Sequence, residues 1–212
     1  MVKIKVCGMR NRENLDAVAA LKPDFLGFIF YPRSPRYVVG KLTPDDLASL
    51  DPAIQKTGVF VNETAEKVAE IVRKYHLDLV QLHGDETPET CKILQQQGIR
   101  IIKAFRIDHT IRRERILPYV DCADWFLFDT ATAGFGGSGK KFDWSLLADL
   151  TFGKPFFLSG GIGPDDAAIL KKMITPVPYA LDLNSKFETE PGYKNAKQLE
   201  DFIKIIRTED YE

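Results

Sequence analysis

The chain has 212 residues, with 29 basic against 30 acidic side chains and a net charge of −1. That length buries a substantial core without staples, and 44% hydrophobic with 28% charged residues excludes wholesale disorder. The balanced charge argues against nucleic acid as a partner, which calls for a basic surplus or stripe.

In chain order, short β-branched or aromatic runs begin near Lys3, Phe25, Lys56, Leu79, Arg100, Asp124, Pro155 and Tyr179. Phe25 to Phe30 and Trp125 to Phe128 are almost continuously apolar, as expected of strands covered on both faces. Between the runs lie helical patterns: Leu15, Val18 and Ala19; Val68, Ile71, Val72 and Tyr75; Leu199, Phe202, Ile203 and Ile206. Thr43-Pro44-Asp45-Asp46, Thr87-Pro88-Glu89 and Gly163-Pro164-Asp165-Asp166 each combine a cap, a first-turn proline and early acids, and Asn11 and Asn195 are further caps. The one dense basic run, Arg106 to Arg115, is broken by Asp108 and Glu114 and reads as a solvated helix face. Eight βα units with no linker predict a single (β/α)8 TIM barrel over residues 1–212, with 208–212 a mobile tail. An open doubly wound sheet shares the same periodicity.

Cys7, Cys91 and Cys122 have no paired spacing, so a reducing compartment is expected and neither a disulfide framework nor a metal site is. Charges interrupt the apolar run at the N-terminus, and no segment reaches the ~18 apolar residues of a membrane span. The expectation is a cytoplasmic protein without membrane or nucleic-acid partners.

In such a barrel the site forms where strands run out into βα loops. Those positions are polar: Cys7-Gly8, His83-Gly84, Asp129-Thr130, Ser159-Gly160-Gly161 and Asn184-Ser185. Cys7 and Asp129 pair a thiol with a carboxylate, a base and an acid that need no metal; singly, each reads as well as a small buried residue or a helix cap. A working base must be ionised near neutral pH, so the Cys7 thiol is expected below its free value of ~8.5. Ser159-Gly160-Gly161 and the turn at Ser185 offer backbone N–H groups to a phosphate where barrels commonly hold one. Arg33 and Arg36, in the proline-stiffened loop Tyr31 to Tyr37, suit a substrate carboxylate. Among the histidines only His83 ends a strand; His76 and His109 read as surface positions. Gly134 to Lys140 fits G-x-x-x-x-G-K, but Lys141 stands where a nucleotide loop needs Ser or Thr, so a mobile active-site loop is the better reading.

With these residues in place, the chain closely resembles the phosphoribosylanthranilate isomerase family of tryptophan biosynthesis. The resemblance runs nearly end to end and is carried by Lys5-Val6-Cys7-Gly8-Met9-Arg10, Gly27 to Tyr37, Gly58 to Asn62, Val80 to Gly84, Gly136 to Trp144 and Leu158 to Gly161. It implies a cofactor-free Amadori rearrangement of N-(5-phosphoribosyl)anthranilate by a monomer or homodimer. It assigns ring-oxygen protonation to Asp129, C2 deprotonation to Cys7, the anthranilate carboxylate to Arg36, and the phosphate to the turns at Gly160, Gly161 and Ser185; His83, at its strand end, and Lys186 complete the expected substrate contacts. Where the family reads D-V-S-S-G-V-E and then P-G-x-K-D, this chain has Asp182-Leu183-Asn184-Ser185-Lys186-Phe187-Glu188 and Pro191-Gly192-Tyr193-Lys194-Asn195. Lys186 thus replaces a glycine beside the expected phosphate: its ammonium suits the anion, but it is strained if the backbone there needs a positive φ. Asn195 for Asp keeps a good helix cap. The alternatives are another phosphosugar isomerase on the same barrel, which Cys7 argues against, and a non-catalytic phosphate-binding module, which leaves Cys7, Arg36 and Asp129 without purpose.

Overall fold

The computed structural model describes residues 1–107, 112–130, 153–172 and 177–208. Eight parallel strands close in sequence order: β1 Lys3–Cys7, β2 Phe25–Ile29, β3 Gln55–Phe60, β4 Leu79–Leu82, β5 Ile101–Ile107, β6 Trp125–Thr130, β7 Phe156–Leu158 and β8 Ala180–Leu183. β8 returns to β1 with Lys5 opposite Asp182, which closes the barrel and excludes the open sheet. Between strands lie α1 Arg12–Ala19, α2 Pro44–Ala48, α3 Ala65–Tyr75, α4 Pro88–Gln96, α5 Arg113–Ile116 and α6 Ala167–Lys171, and α7 Ala196–Arg207 follows the last strand.

The period-2 alternation of each strand divides its residues between two environments. Ile4 and Val6 of β1 point outward and join the large core beneath the helices with Leu15, Val18, Leu199 and Phe202. Phe25, Leu79, Ile102, Leu127, Phe157 and Ala180 come from six different strands and pack together inside the barrel, where Lys3 lies 5.4 Å from the Tyr179 ring. This aromatic plug fills the end where the strands start, so the open end is the one where they finish.

The caps expected at Asn11, Thr43, Thr87 and Asn195 form, and Thr64 supplies one beyond those expected. Asn11, Thr43, Thr64, Thr87 and Asn195 each accept a backbone N–H of the following turn, and Asp46 completes a capping box with Thr43, at about 1 kcal/mol of helix stability apiece. Two expectations need correction, and one element was not expected. The run from Arg106 to Arg115 is not one helix face: Arg106 lies in β5 and is paired with Asp85, α5 holds only four residues, and 108–111, with His109, lie outside the described residues. The Gly163 start opens a 3-10 turn, Pro164–Asp166, before α6 begins. The chain after β8 is a 3-10 turn, Ser185–Phe187, followed by a hairpin of β9 Glu188–Glu190 and β10 Tyr193–Lys194 that the apolar pattern does not reveal. His76 is exposed as expected and caps α3 at φ 50°. The glycine loop from Gly134 to Lys141 and the tail 209–212 lie outside the described residues.

Candidate active site

At the open end of the barrel a cavity of about 230 Å³ is lined by Cys7, Arg36, His83, Asp129, Gly160, Gly161 and Ser185, so strand ends scattered through the sequence converge as expected. Cys7 and Asp129 stand on strands separated by β7 and β8 and face the same space from different sides. Lys186 is the exception among the expected residues. It is exposed, it does not line the cavity, and its backbone is not in the left-handed region, so replacing a glycine there brings no strain.

Cys7 is 3% exposed. Its neighbour on β2 is Gly27, where a Cβ would lie 2.7 Å from the Cys7 sulfur, so only glycine admits the thiol at this depth. Two residues back on the same inward face, Lys5 is fully buried and places Nζ 2.8 Å from Asp182 Oδ1, and Asp182 lines the same cavity as Cys7. Burial pushes the Cys7 thiol up from its ordinary value, and the nearby Lys5 and Lys194 only partly oppose it. This corrects the expectation of a thiol poised below its free value, because desolvation of the thiolate outweighs the cations around it. Burial alone would lower the Lys5 ammonium, but Asp182 and Cys7 together outweigh it and hold Lys5 above its ordinary value.

Asp129 Oδ2 lies 3.3 Å from Nε2 of His83, whose Nδ1 is 2.6 Å from Gln81 Nε2. The Gln81 amide thus faces Nδ1, and Nε2 is the ring nitrogen that faces Asp129. His83 therefore touches the acid as well as the cavity. The β4 end that carries it is pinned by Glu86, which accepts from Asn62 N and Gly84 N while Lys103 Nζ donates to Glu86 and to the carbonyls of Leu82 and Gly84.

Of the two loop arginines Arg33 is exposed and Arg36 is buried. The Ser34 hydroxyl accepts the Arg36 backbone N–H at 3.1 Å, tightening the loop. The Arg36 guanidinium is gripped by Glu188, with Nε–Oε1 at 2.8 Å and Nη2–Oε2 at 2.5 Å. Lys194 Nζ reaches Glu188 Oε1 at 2.6 Å and Asn184 Oδ1 at 2.7 Å. Gly8, at φ 86°, makes room for this cluster, since a Cβ there would lie 2.7 Å from Arg36 Cδ. Burial tends to raise the Glu188 carboxyl, but its bonds to Arg36 and Lys194 prevail and hold it below the usual range. Burial brings the Lys194 ammonium down to about 8 against the pull of Glu188.

On the cavity wall Gly160 and Gly161 take successive positive φ values of 95° and 73°, a turn that glycine adopts without strain. The Gly163 N–H is already committed to Asp166 Oδ2 at 2.7 Å.

Sequence reasoning did not single out Lys5, Asp182, Glu188, Lys194 or Gln81. The one available signal was charge in the wrong place: Lys5 and Asp182 interrupt strands otherwise covered on both faces.

A model of the family described as N-(5'-phosphoribosyl)anthranilate (PRA) isomerase matches residues 4–205. A curated N-(5'-phosphoribosyl)anthranilate isomerase from Parabacteroides distasonis is 47% identical over 206 residues, covering 96% of this chain and 92% of the relative. The crystal structure of the phosphoribosyl anthranilate isomerase from Thermotoga maritima superposes with a TM-score of 0.84 at 36% identity, covering 98% of this chain and 99% of that one. Another such isomerase, solved in complex with reduced 1-(o-carboxyphenylamino)-1-deoxyribulose 5-phosphate, gives a TM-score of 0.79 at 33% identity over 98% and 99% of the two chains.

Proposed function

The chain belongs to the N-(5'-phosphoribosyl)anthranilate isomerase family of tryptophan biosynthesis, and on that premise we propose how its own residues carry the reaction. The substrate is N-(5'-phosphoribosyl)anthranilate and the product its 1-deoxyribulose 5-phosphate amine. One observation carries the assignment of roles: Cys7 and Asp129, from strands three apart, line one cavity with Arg36 on one side and the Gly160–Gly161 turn on another.

Asp129 gives its proton to the furanose ring oxygen. The C1–O bond breaks toward that oxygen while the nitrogen lone pair forms the C1=N bond of a protonated Schiff base. The Cys7 thiolate then takes the C2 proton; the C–H electrons form C1=C2, and the C1=N pair returns to nitrogen. The resulting enolamine tautomerises to the ketone. Each transfer is general acid or base catalysis by one positioned group, worth typically 10²–10⁴ in rate, and none needs a cofactor.

Arg36 keeps guanidinium N–H groups for the anthranilate carboxylate beyond those that Glu188 accepts, since a guanidinium has five donors. Gly160, Gly161 and Ser185 offer the phosphate backbone N–H groups, a use that needs no net charge on the loop. His83 holds Asp129 and borders the sugar. Lys186 sits next to Ser185 at the rim, where its ammonium attracts the phosphate from outside the cavity wall. A freely diffusing phosphorylated metabolite is a cytoplasmic substrate.

Purified protein mixed with N-(5'-phosphoribosyl)anthranilate, without added metal or nucleotide, should abolish the substrate's anthranilate-type fluorescence. Persistent fluorescence with folded protein would overturn the reading.

A further inference from the structure

Directly beneath Cys7, the Lys5 ammonium has no exposed surface, and none of the roles above uses it. Placing an ammonium inside a barrel is costly, and a well-packed apolar pair would serve the fold as well. Lys5 is nevertheless fixed precisely. It stands opposite Asp182 in the β1–β8 register and gives one N–H to Asp182 Oδ1 at 2.8 Å. An ammonium carries three donors, and Asp182, which takes one of them, lines the same cavity as Cys7. Gly27 approaches the Cys7 sulfur so closely that a Cβ would lie 2.7 Å away. The sulfur thus lies against a glycine on β2, with a buried cation two residues before it on β1.

We propose that Lys5 is a positioning residue for the base: its ammonium, anchored by Asp182, donates to the Cys7 sulfur and stabilises the thiolate that takes the C2 proton. The inference rests on Cys7 being the base. Lys5 keeps its protons throughout, and the proton from C2 comes to rest on sulfur, so the lysine changes the energy of the thiolate without reacting. The charged groups that face Cys7 are Lys5 on its own strand, Asp182 on β8 and Lys194 on β10; β2 presents the uncharged Gly27. Burial acts against the thiolate, Lys5 is foremost among the groups that favour it, and Asp182 acts against it. The opposing effect of Asp182 is the cost of keeping Lys5 charged at this depth.

A purely structural account makes Lys5–Asp182 a lock on the closing seam of the barrel. The two accounts separate in the pH dependence of Cys7 alkylation by iodoacetamide, followed by mass spectrometry of the Cys7 peptide, beside kcat and KM. Lys5→Met leaves Asp182 buried without its partner, so Lys5→Met/Asp182→Asn is measured with it as the variant that carries no unpaired buried charge. In both, the alkylation midpoint should rise by about one pH unit or more and kcat near neutral pH should fall about tenfold, with KM within about twofold, the scale expected when an opposite charge at contact distance is removed. An unchanged midpoint and kcat in the folded double variant would overturn the proposal. A lower melting temperature with no shift in midpoint would assign Lys5 to the fold alone. Cys7→Ser is run alongside: near-normal turnover there would remove the base assignment itself, a failure distinct from that of Lys5.

Discussion

Glu188 occupies one edge of the Arg36 guanidinium in a two-point pair, Nε–Oε1 at 2.8 Å and Nη2–Oε2 at 2.5 Å, across 152 residues of sequence. The arginine assigned to the substrate carboxylate is thereby held by a carboxylate of its own, and Glu188 sets the direction in which its remaining N–H groups point. Arg36→Ala should raise KM by about 10² with a smaller change in kcat, because it removes a bidentate, charge-assisted grip. Glu188→Gln keeps the arginine but slackens its aim, and should raise KM by about tenfold. Steady-state kinetics on both variants checks this; an unchanged KM in Arg36→Ala would remove Arg36 from the site.

Gly27 lies against Cys7, the proposed base. A methyl group there would stand 2.7 Å from the Cys7 sulfur, 3.0 Å from its Cα and 3.2 Å from its Cβ, and the backbone atom cannot rotate away. Gly27→Ala should therefore push β1 and the thiol out of line, cutting kcat by about 10² as misplacement of a reacting group does. The melting temperature should fall as well, because a packed core resists added volume. Normal turnover in a folded Gly27→Ala protein would show that the thiol position is not critical.

Asp129 and His83 form the acid side of the cavity at 3.3 Å. Asp129→Asn cannot give a proton to the ring oxygen and should lose about 10² or more in kcat. His83→Gln keeps a polar side chain but removes the imidazole that faces Asp129, so kcat should fall by more than KM rises. A kcat identical to wild type would confine His83 to the cavity wall.

The Lys194 ammonium is brought down to about 8 by burial, whereas an unfolded lysine titrates near 10.4. Between those values the unfolded chain binds more protons than the folded one. From this group alone, stability rises with pH across that window, by up to about 1.4 kcal/mol per pH unit, and the gain is lost as pH falls through about 8. Lys194→Met abolishes the dependence. Urea unfolding of the two proteins at about pH 7 and about pH 10 should show the stability difference moving in favour of wild type as pH rises; a difference independent of pH would contradict it.

The barrel was readable because strands covered on both faces leave nearly unbroken apolar runs. The predicted starts at Lys3, Phe25 and Leu79 coincide with those of β1, β2 and β4, and the others lie one residue away. Cys7, Asp129 and the Gly160–Gly161 turn were readable because strand ends are where such a fold keeps chemistry. The ionic frame was not. Lys5 and Asp182 lie 177 residues apart and Arg36 and Glu188 lie 152 apart, so no local spacing links them. The hairpin bearing Glu188 and Lys194 has strands of three and two residues, too short for an alternating pattern. The Cys7 expectation failed because it weighed what a base requires and not the burial around this one.

The central claim is that Cys7 removes the C2 proton. Turnover of N-(5'-phosphoribosyl)anthranilate by Cys7→Ser tests it most directly, since a hydroxyl keeps the shape of the group but ionises far less readily than a thiol. The account predicts a loss of about 10² or more in kcat with KM and melting temperature close to wild type. Turnover near the wild-type rate would contradict it.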